Sequence, residues 1–431
     1  MTNLSRRTIV QSMGAMAIAG PLAAPSAFAQ TARNEIVVGA SQPITGIFSF
    51  AGTAMHQGLG DWVAWKNSTG GLAGRKLRYV YEDSGFKLDQ GVAIFKKIMA
   101  AEKPSFFYGD STQWCKAVAQ DAIASNAVLT SSPSLAAVMA DPVTMPQNFV
   151  AGPVYGSMHE VLMEYIARTS QGAATKPTIA YVYADTEFGR DGIPAGKARA
   201  EKLGLKIVTE IVTKQSGIDV APEVAKLRRA KPDIVIFQGY ILSPVPEFVR
   251  QMREAGLNSQ IMGTAWGLDK PAYDALGAMG ESLTGVAPYR YGHETDSKTL
   301  QAIRDFAVKN RPEMKHISPF YLNAWLAGMI FGEVAERCIK AGKALTLPNM
   351  KAALESMKDW DSGGISGLLV DLSKHQIPVG RIYRYDTKVM WQLMPSEKMY
   401  MEHAIGGGQT RGSDSSQWTY EDTAMGEETL N

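Results

Sequence analysis

The chain has 431 residues, 45% of them hydrophobic, 20% charged and 9% aromatic. This is ordinary globular composition: it excludes disorder over most of the length and allows about two or three domains. Lysine plus arginine number 44 and aspartate plus glutamate 42, and two of the cations, Arg6 and Arg7, lie in a leader without acids. The remainder therefore carries 42 of each sign, which gives no global electrostatic case for nucleic acid or an anionic membrane.

Residues 1–29 read as an export signal. Arg6-Arg7 precede a mild apolar run from Met13 to Leu22, and Ala27-Phe28-Ala29 has the small-x-small cleavage pattern. Adjacent arginines before a weakly hydrophobic stretch suit twin-arginine export; the alternative is a general secretory signal that holds two arginines. Either route predicts a protein cleaved near Ala29 and located outside the cytoplasm. No later apolar run reaches the roughly 18 residues of a bilayer span. Cys115 and Cys338, the two cysteines, are expected as buried, unlinked thiols.

From Glu35 the pattern alternates. Ile36–Ala40 reads as a strand, Ala54–Asn67 as a helix, Lys76–Tyr81 as a strand and Asp89–Ala101 as a helix. Phe106–Tyr108, Gln113–Ala124 and Val128–Thr130 continue as strand, helix and strand. The rhythm restarts after Gly152-Pro153: helix Met158–Thr169, strand Ile179–Tyr183, helix Gly189–Lys202, strand Lys206–Thr213, helix Val220–Arg229, strand Asp233–Phe237, helix Pro246–Ala255 and strand Gln260–Gly263. Such alternation predicts parallel sheets covered by helices on both faces. Helices follow at Ser297–Lys309, Phe320–Ala341 and Leu347–Lys358, then a strand pair at Arg381–Tyr385 and Val389–Trp391, and a polar tail from about residue 401.

Familiar enzyme motifs are missing. There is no phosphate loop, no nucleophile elbow, no paired histidine motif on a helix and no dinucleotide glycine fingerprint after the first strand. The six histidines have no second His or Cys at metal-ligand spacing. No catalytic residue, cofactor or metal is expected. Glu82-Asp83, Asp185 and Glu187 lie at strand ends, where acids commonly cap helices.

Several segments carry a resemblance: Ile36-Val37-Val38-Gly39 with Ile44-Thr45-Gly46; Asn67 to Leu77; Glu82-Asp83-Ser84-Gly85; Gly109-Asp110-Ser111-Thr112; and Asp185 to Asp191. In this order and spacing, from about Glu35 to Met394, the chain resembles the type I periplasmic solute-binding proteins of the branched-chain amino acid and amide transport class. The resemblance implies an α/β fold of two doubly wound parallel-sheet lobes joined by a three-segment hinge. Lobe one would hold residues 30–153 and 288–368, and lobe two residues 154–287 and 369–400. The crossings would lie near Gly152-Pro153, Val286–Tyr291 and Gly367–Pro378. A monomer is expected, handing a small-molecule ligand to the membrane permease of an ABC importer.

The site would lie beyond the carboxyl ends of the strands, where helix N-terminal amides attract anions. Family positions that hold a ligand carboxylate fall on Ser111, Thr112, Ser132 and Ser134, although Ser and Thr also cap helices without any ligand. Trp114, Phe188, Tyr240, Trp266 and Tyr321 lie near the same loops and would contact a flat, apolar ligand. Amino-acid binders of the family place an acid near the position of Ala265-Trp266, and Met262–Gly267 has none. A buried ammonium without an anion costs several kcal/mol. The expected ligand is therefore an aromatic carboxylate. The alternatives are a branched-chain amino acid, with Glu187, Asp185 or Asp110 as the acid to examine, a small amide, or an extracytoplasmic enzyme or sensor on the same scaffold.

Overall fold

The structure is a computed structural model that describes residues 35–404, apart from 215–218, 240–243, 296, 367–368, 378–379, 385–388 and 395–398. The leader and the tail beyond residue 404 lie outside the described residues.

The first layered unit is β1 (Glu35–Gln42), α1 (Ser49–Ser68), β2 (Lys76–Asp83), α2 (Leu88–Glu102), β3 (Phe106–Tyr108), α3 (Thr112–Ser125) and β4 (Leu129–Ser131). Phe106, Phe107, Tyr108 and Leu129 are fully buried, as strands covered on both faces require. The strand order is β2-β1-β3-β4, with β1 parallel to β3 and β3 parallel to β4. The order reverses between β1 and β3. The loops leaving those two strands diverge there and open a crevice at their carboxyl ends.

The second unit follows with α4 (Tyr155–Thr169), β5 (Thr178–Ala184), α5 (Glu187–Asp191), α6 (Ile193–Lys202), β6 (Lys206–Thr213), α7 (Ala221–Ala230), β7 (Ile234–Gln238), α8 (Val245–Glu254), β8 (Gln260–Thr264), α9 (Lys270–Leu276) and β9 (Thr284–Ala287). The single helix predicted over Gly189–Lys202 is two, α5 and α6. Pro194 near the start of α6 supplies no N–H to continue the first.

After β9 come α10 (Lys298–Asn310), α11 (Pro319–Lys340), α12 (Leu347–Glu355), the short pair β10 (Trp360–Asp361) and β11 (Leu369–Val370), and finally β12 (Gly380–Arg384), β13 (Val389–Met394) and β14 (Met399–Ala404). The second sheet is eight-stranded, in the order β14-β13-β12-β9-β8-β7-β5-β6. Its β6, β5, β7, β8 and β9 are parallel, and β12, β13 and β14 add to β9 as antiparallel strands. The expected terminal strand pair thus has a third strand, so residues 399–404 belong to the sheet.

α11 lies on α1 of the first unit. Gly58 lets the Tyr321 backbone approach: a Cβ at Gly58 would stand 2.2 Å from the Tyr321 carbonyl oxygen. The chain leaves the first sheet before α4, leaves the second after β9, and rejoins it at β12. Two of these crossings hydrogen-bond to each other. Val150 N donates to His375 O at 2.8 Å and Ile377 N to Gly152 O at 3.1 Å. β11 pairs with β10, residues 375–377 bond to the first crossing, and the chain re-enters the second sheet at β12, which starts at Gly380. Cys115 and Cys338 are buried free thiols on α3 and α11. Among the described residues no helix is long and apolar enough to cross a membrane.

Candidate functional site

The crevice at the β1/β3 reversal faces the loops that follow β5 and β8, and together they line a cleft open to solvent. The first unit supplies a polar floor. Ser111 is extended (φ −163°) and caps α3, accepting a hydrogen bond from Trp114 N at 3.2 Å. The first amides of α3, those of Thr112 and Gln113, point past the helix end, as the opening N–H groups of any helix do. Thr112 Oγ1 and Ser134 Oγ share one hydrogen bond of 2.6 Å, so one of the two keeps a free donor. Thr112, Gln113, Ser111 and Ser134 all line the cleft.

The remaining walls are aromatic. Phe48 and Phe50 follow β1, and Phe86 follows β2 with its ring 4.1 Å from that of Phe48. From α11, Phe320 meets Phe50 edge-on at 6.0 Å. Trp266 stacks on Phe320 at 4.4 Å and 15° and donates its indole N–H to the Tyr155 hydroxyl at 2.9 Å. Phe188 meets Tyr155 edge-on at 5.1 Å and 64°. The backbone at Ala265 is left-handed (φ 32°), an uncommon state for a residue with a Cβ, immediately before Trp266. All seven of these aromatic residues line the cleft. Among the described residues, no lysine, arginine or histidine lines it. Two carboxylates are, Asp110 and Glu187. Glu187 is paired with Lys116 at 2.8 Å. Asp110 is buried and accepts from Ser84 Oγ at 2.7 Å and Ser111 Oγ at 2.8 Å. Burial pushes its carboxyl above the usual range, against the two serine hydrogen bonds.

Of the residues singled out from sequence, Ser111, Thr112, Ser134, Phe188 and Trp266 come together around this cleft. Three others sit elsewhere. Trp114 is fully buried, stacked on Phe107 at 5.4 Å, with its indole N–H on Gly91 O at 3.1 Å. It belongs to the face of α3 that covers the sheet. Ser132 is buried and accepts from Ser134 N at 3.1 Å and from the Cys115 thiol at 3.0 Å, which makes it a support beneath the floor. Tyr321 is turned onto α1, its hydroxyl donating to Asp61 at 2.9 Å. Phe320, one residue earlier and about 100° around the helix, is the ring that reaches the cleft. Tyr240 lies outside the described residues. Asp185 pairs with Arg190 at 2.6 Å and is not among the lining residues.

Sequence reasoning missed Phe48, Phe50, Phe86, Tyr155 and Phe320. Two of them had a visible signal, since Phe48-Ser49-Phe50 lies where the loop after β1 runs into the start of α1, a strand-to-helix junction of the kind inspected for hydroxyls.

Comparison with known proteins adds the following. A family model described as "Periplasmic binding protein" matches residues 35–387. A Leu/Ile/Val-binding protein homolog 3 of Brucella melitensis is 25% identical over 321 residues, 73% of this chain and 82% of that protein. A branched chain amino acid ABC transporter protein from Thermus thermophilus with bound valine superposes with TM-score 0.72 at 20% identity, over 81% of this chain and 92% of that one. A solute binding protein from Rhodopseudomonas palustris in complex with 3,4-dihydroxy benzoic acid gives TM-score 0.68 at 18% identity, over 86% and 97%. At these identities the two structural likenesses speak to the fold.

Proposed function

The chain belongs to the periplasmic binding protein family, and we propose that it captures an aromatic or bulky apolar carboxylate for import. As a solute-binding protein of an ABC transporter, it serves transport rather than catalysis. The reading is completed by an exported monomer that delivers its ligand to a membrane permease.

One observation carries the ligand class: a cleft walled by seven aromatic side chains, with hydroxyls and the opening amides of α3 at one end. Aromatic pairs contribute about 0.5–1.5 kcal/mol each beyond burial. Hydroxyl and amide donors hold a carboxylate without a basic side chain, each charge-assisted bond contributing roughly 1.5–3 kcal/mol. The loop Thr264–Gly267 offers no acid to an ammonium, and its outermost side chain is the stacked Trp266.

A second reading has its own support. Asp110 and Glu187 line the cleft, and either could pair the ammonium of a branched-chain amino acid, the ligand class in the names of the curated relatives. Calorimetry separates the two. Benzoate- and cinnamate-type acids are expected to bind at micromolar concentration or tighter, and Ser134→Ala to weaken them about ten- to a hundredfold. Micromolar binding of leucine with no response to any aromatic acid would replace the first reading by the second.

A further inference from the structure

Ser111 has one hydroxyl proton, and it is committed. Its Oγ donates to Asp110 Oδ1 at 2.8 Å and accepts from Trp114 N at 3.2 Å. While Asp110 is ionised, Ser111 cannot donate to a ligand carboxylate at the mouth of α3. The Asp110 charge lies in the same cleft, and among the described residues no basic side chain in the lining offsets it. We propose, building on the acid-binding reading above, that Asp110 makes ligand capture proton-coupled: one proton is taken onto its carboxylate as the anion binds, which releases the Ser111 hydroxyl to the ligand.

The proton comes from the solution, or from the ligand when it arrives as the neutral acid. It ends on an Asp110 oxygen, where the new O–H donates back to Ser111 Oγ or to the ligand. Asp110 is suited to this by position. It is 7% exposed, and Ser84 and Ser111 each hold one of its oxygens, so it is fixed in either protonation state. Among the described residues no lysine, arginine or histidine lines the cleft beside it. At the end of β2, the neighbouring Asp83 is already held by the N–H groups of Ile44, Thr45 and Gly85. From β1, Gln42 turns its amide onto the Tyr108 and Gly109 carbonyls. On α3 the nearby ionisable groups are the Cys115 thiol, which burial pushes up to about 12, and Lys116, whose ammonium is on Glu187. Across the cleft, Glu187 is neutralised by Lys116. Burial itself favours the protonated carboxyl.

The test is titration calorimetry of the whole protein with benzoate and cinnamate, at pH 7.5, in two buffers of different ionisation enthalpy. Uptake of about one proton per ligand is expected. Wild-type affinity should fall about tenfold per pH unit where free Asp110 is ionised. Asp110→Asn, whose amide can donate to Ser111 as the protonated acid does, should bind the same acids with no uptake, a flat pH profile and tighter binding than wild type at pH 8. The uptake measurement needs no variant, so the proposal is decided even if Asp110→Asn fails to fold. An acid that binds with no proton uptake overturns this inference and leaves the acid-binding reading standing. Absence of binding by any aromatic acid between pH 5 and 8 overturns both. Binding of leucine that Asp110→Asn abolishes assigns Asp110 to an ammonium instead.

Discussion

His159 on α4 is fully buried, with Nε2 3.3 Å from Gln238 Oε1. Because that amide oxygen can only accept, the imidazole proton resides on Nε2. Burial lowers the imidazole from 6.5 to about 4, with the Gln238 bond opposing. The sign follows by linkage: below pH 6.5 the unfolded chain takes a proton here that the folded chain refuses until about pH 4. The stabilisation present above pH 6.5 is lost on the way down, about 3 kcal/mol in all at 1.36 kcal/mol per unit. His159→Gln is expected to flatten that part of the pH dependence. Urea midpoints at pH 7 and 4.5 check it, and parallel losses in the two proteins would contradict the assignment. Gln238 also donates to Phe188 O at 3.4 Å and accepts from Thr264, so this neutral pair supports the segments that carry two of the cleft rings. At this scale the sequence shows residue types but not directions. Trp114 and Tyr321 stand beside cleft residues in the chain and point away from the cleft, because helix phase sends neighbours to different faces.

Between elements, α1 and α11 meet through small residues. A Cβ at Gly328 would come within 2.4 Å of the Trp62 ring, and one at Gly58 within 2.2 Å of the Tyr321 carbonyl oxygen. The ring can shift; the backbone can do so only with the helix. Helix propensity alone would make Gly58→Ala stabilising by about 1 kcal/mol. Overpacking of about 1–3 kcal/mol is expected to win, for a net loss of about 1 kcal/mol in chemical denaturation. A gain in stability would show that the two helices have slack. The elements themselves were largely legible, because apolar period and strand–helix alternation are local. What escaped was β14, β9 and the β10–β11 pair. β10 and β11 are two residues each and pair with each other, β14 adds to the edge of a sheet as a hairpin with β13, and β9 is a strand by virtue of β8 and of β12, which lies about a hundred residues away.

In the whole molecule, the two layered units touch across the cleft at separate places. Lys116 on α3 pairs with Glu187 on α5 at 2.8 Å, and Ala137 N donates to Asp191 at 3.1 Å. Asp269 accepts from Ser318 at 2.7 Å and meets His316 Nε2 at 2.5 Å. The Lys116–Glu187 pair is 42% and 41% exposed, so about 0.2–1 kcal/mol is its scale. Lys116→Ala is expected to weaken ligand binding by up to about fivefold at low salt, with the difference vanishing near 1 M salt where screening is short-ranged. Calorimetry at the two ionic strengths measures this; equal affinity at low salt would mean that the pair has no part in holding the units together.

From the sequence alone came the alternation that fixes an α/β architecture in two units, the hydroxyl-rich loops after β3 and β4, and the absence of an acid in Thr264–Gly267, all local properties of composition and period. Strand order was not among them. Only the tertiary structure places the reversal between β1 and β3, and so decides which loops diverge to form a cleft. It also decides that Phe48, Phe50, Phe86, Tyr155 and Phe320, scattered through the chain, share that cleft, and that Asp110 lies beneath Ser111. The reason is that burial and side-chain direction come from contacts between distant segments. A one-residue step on a helix exchanges a cleft-lining Phe320 for a Tyr321 turned onto Asp61, and no local pattern distinguishes the two.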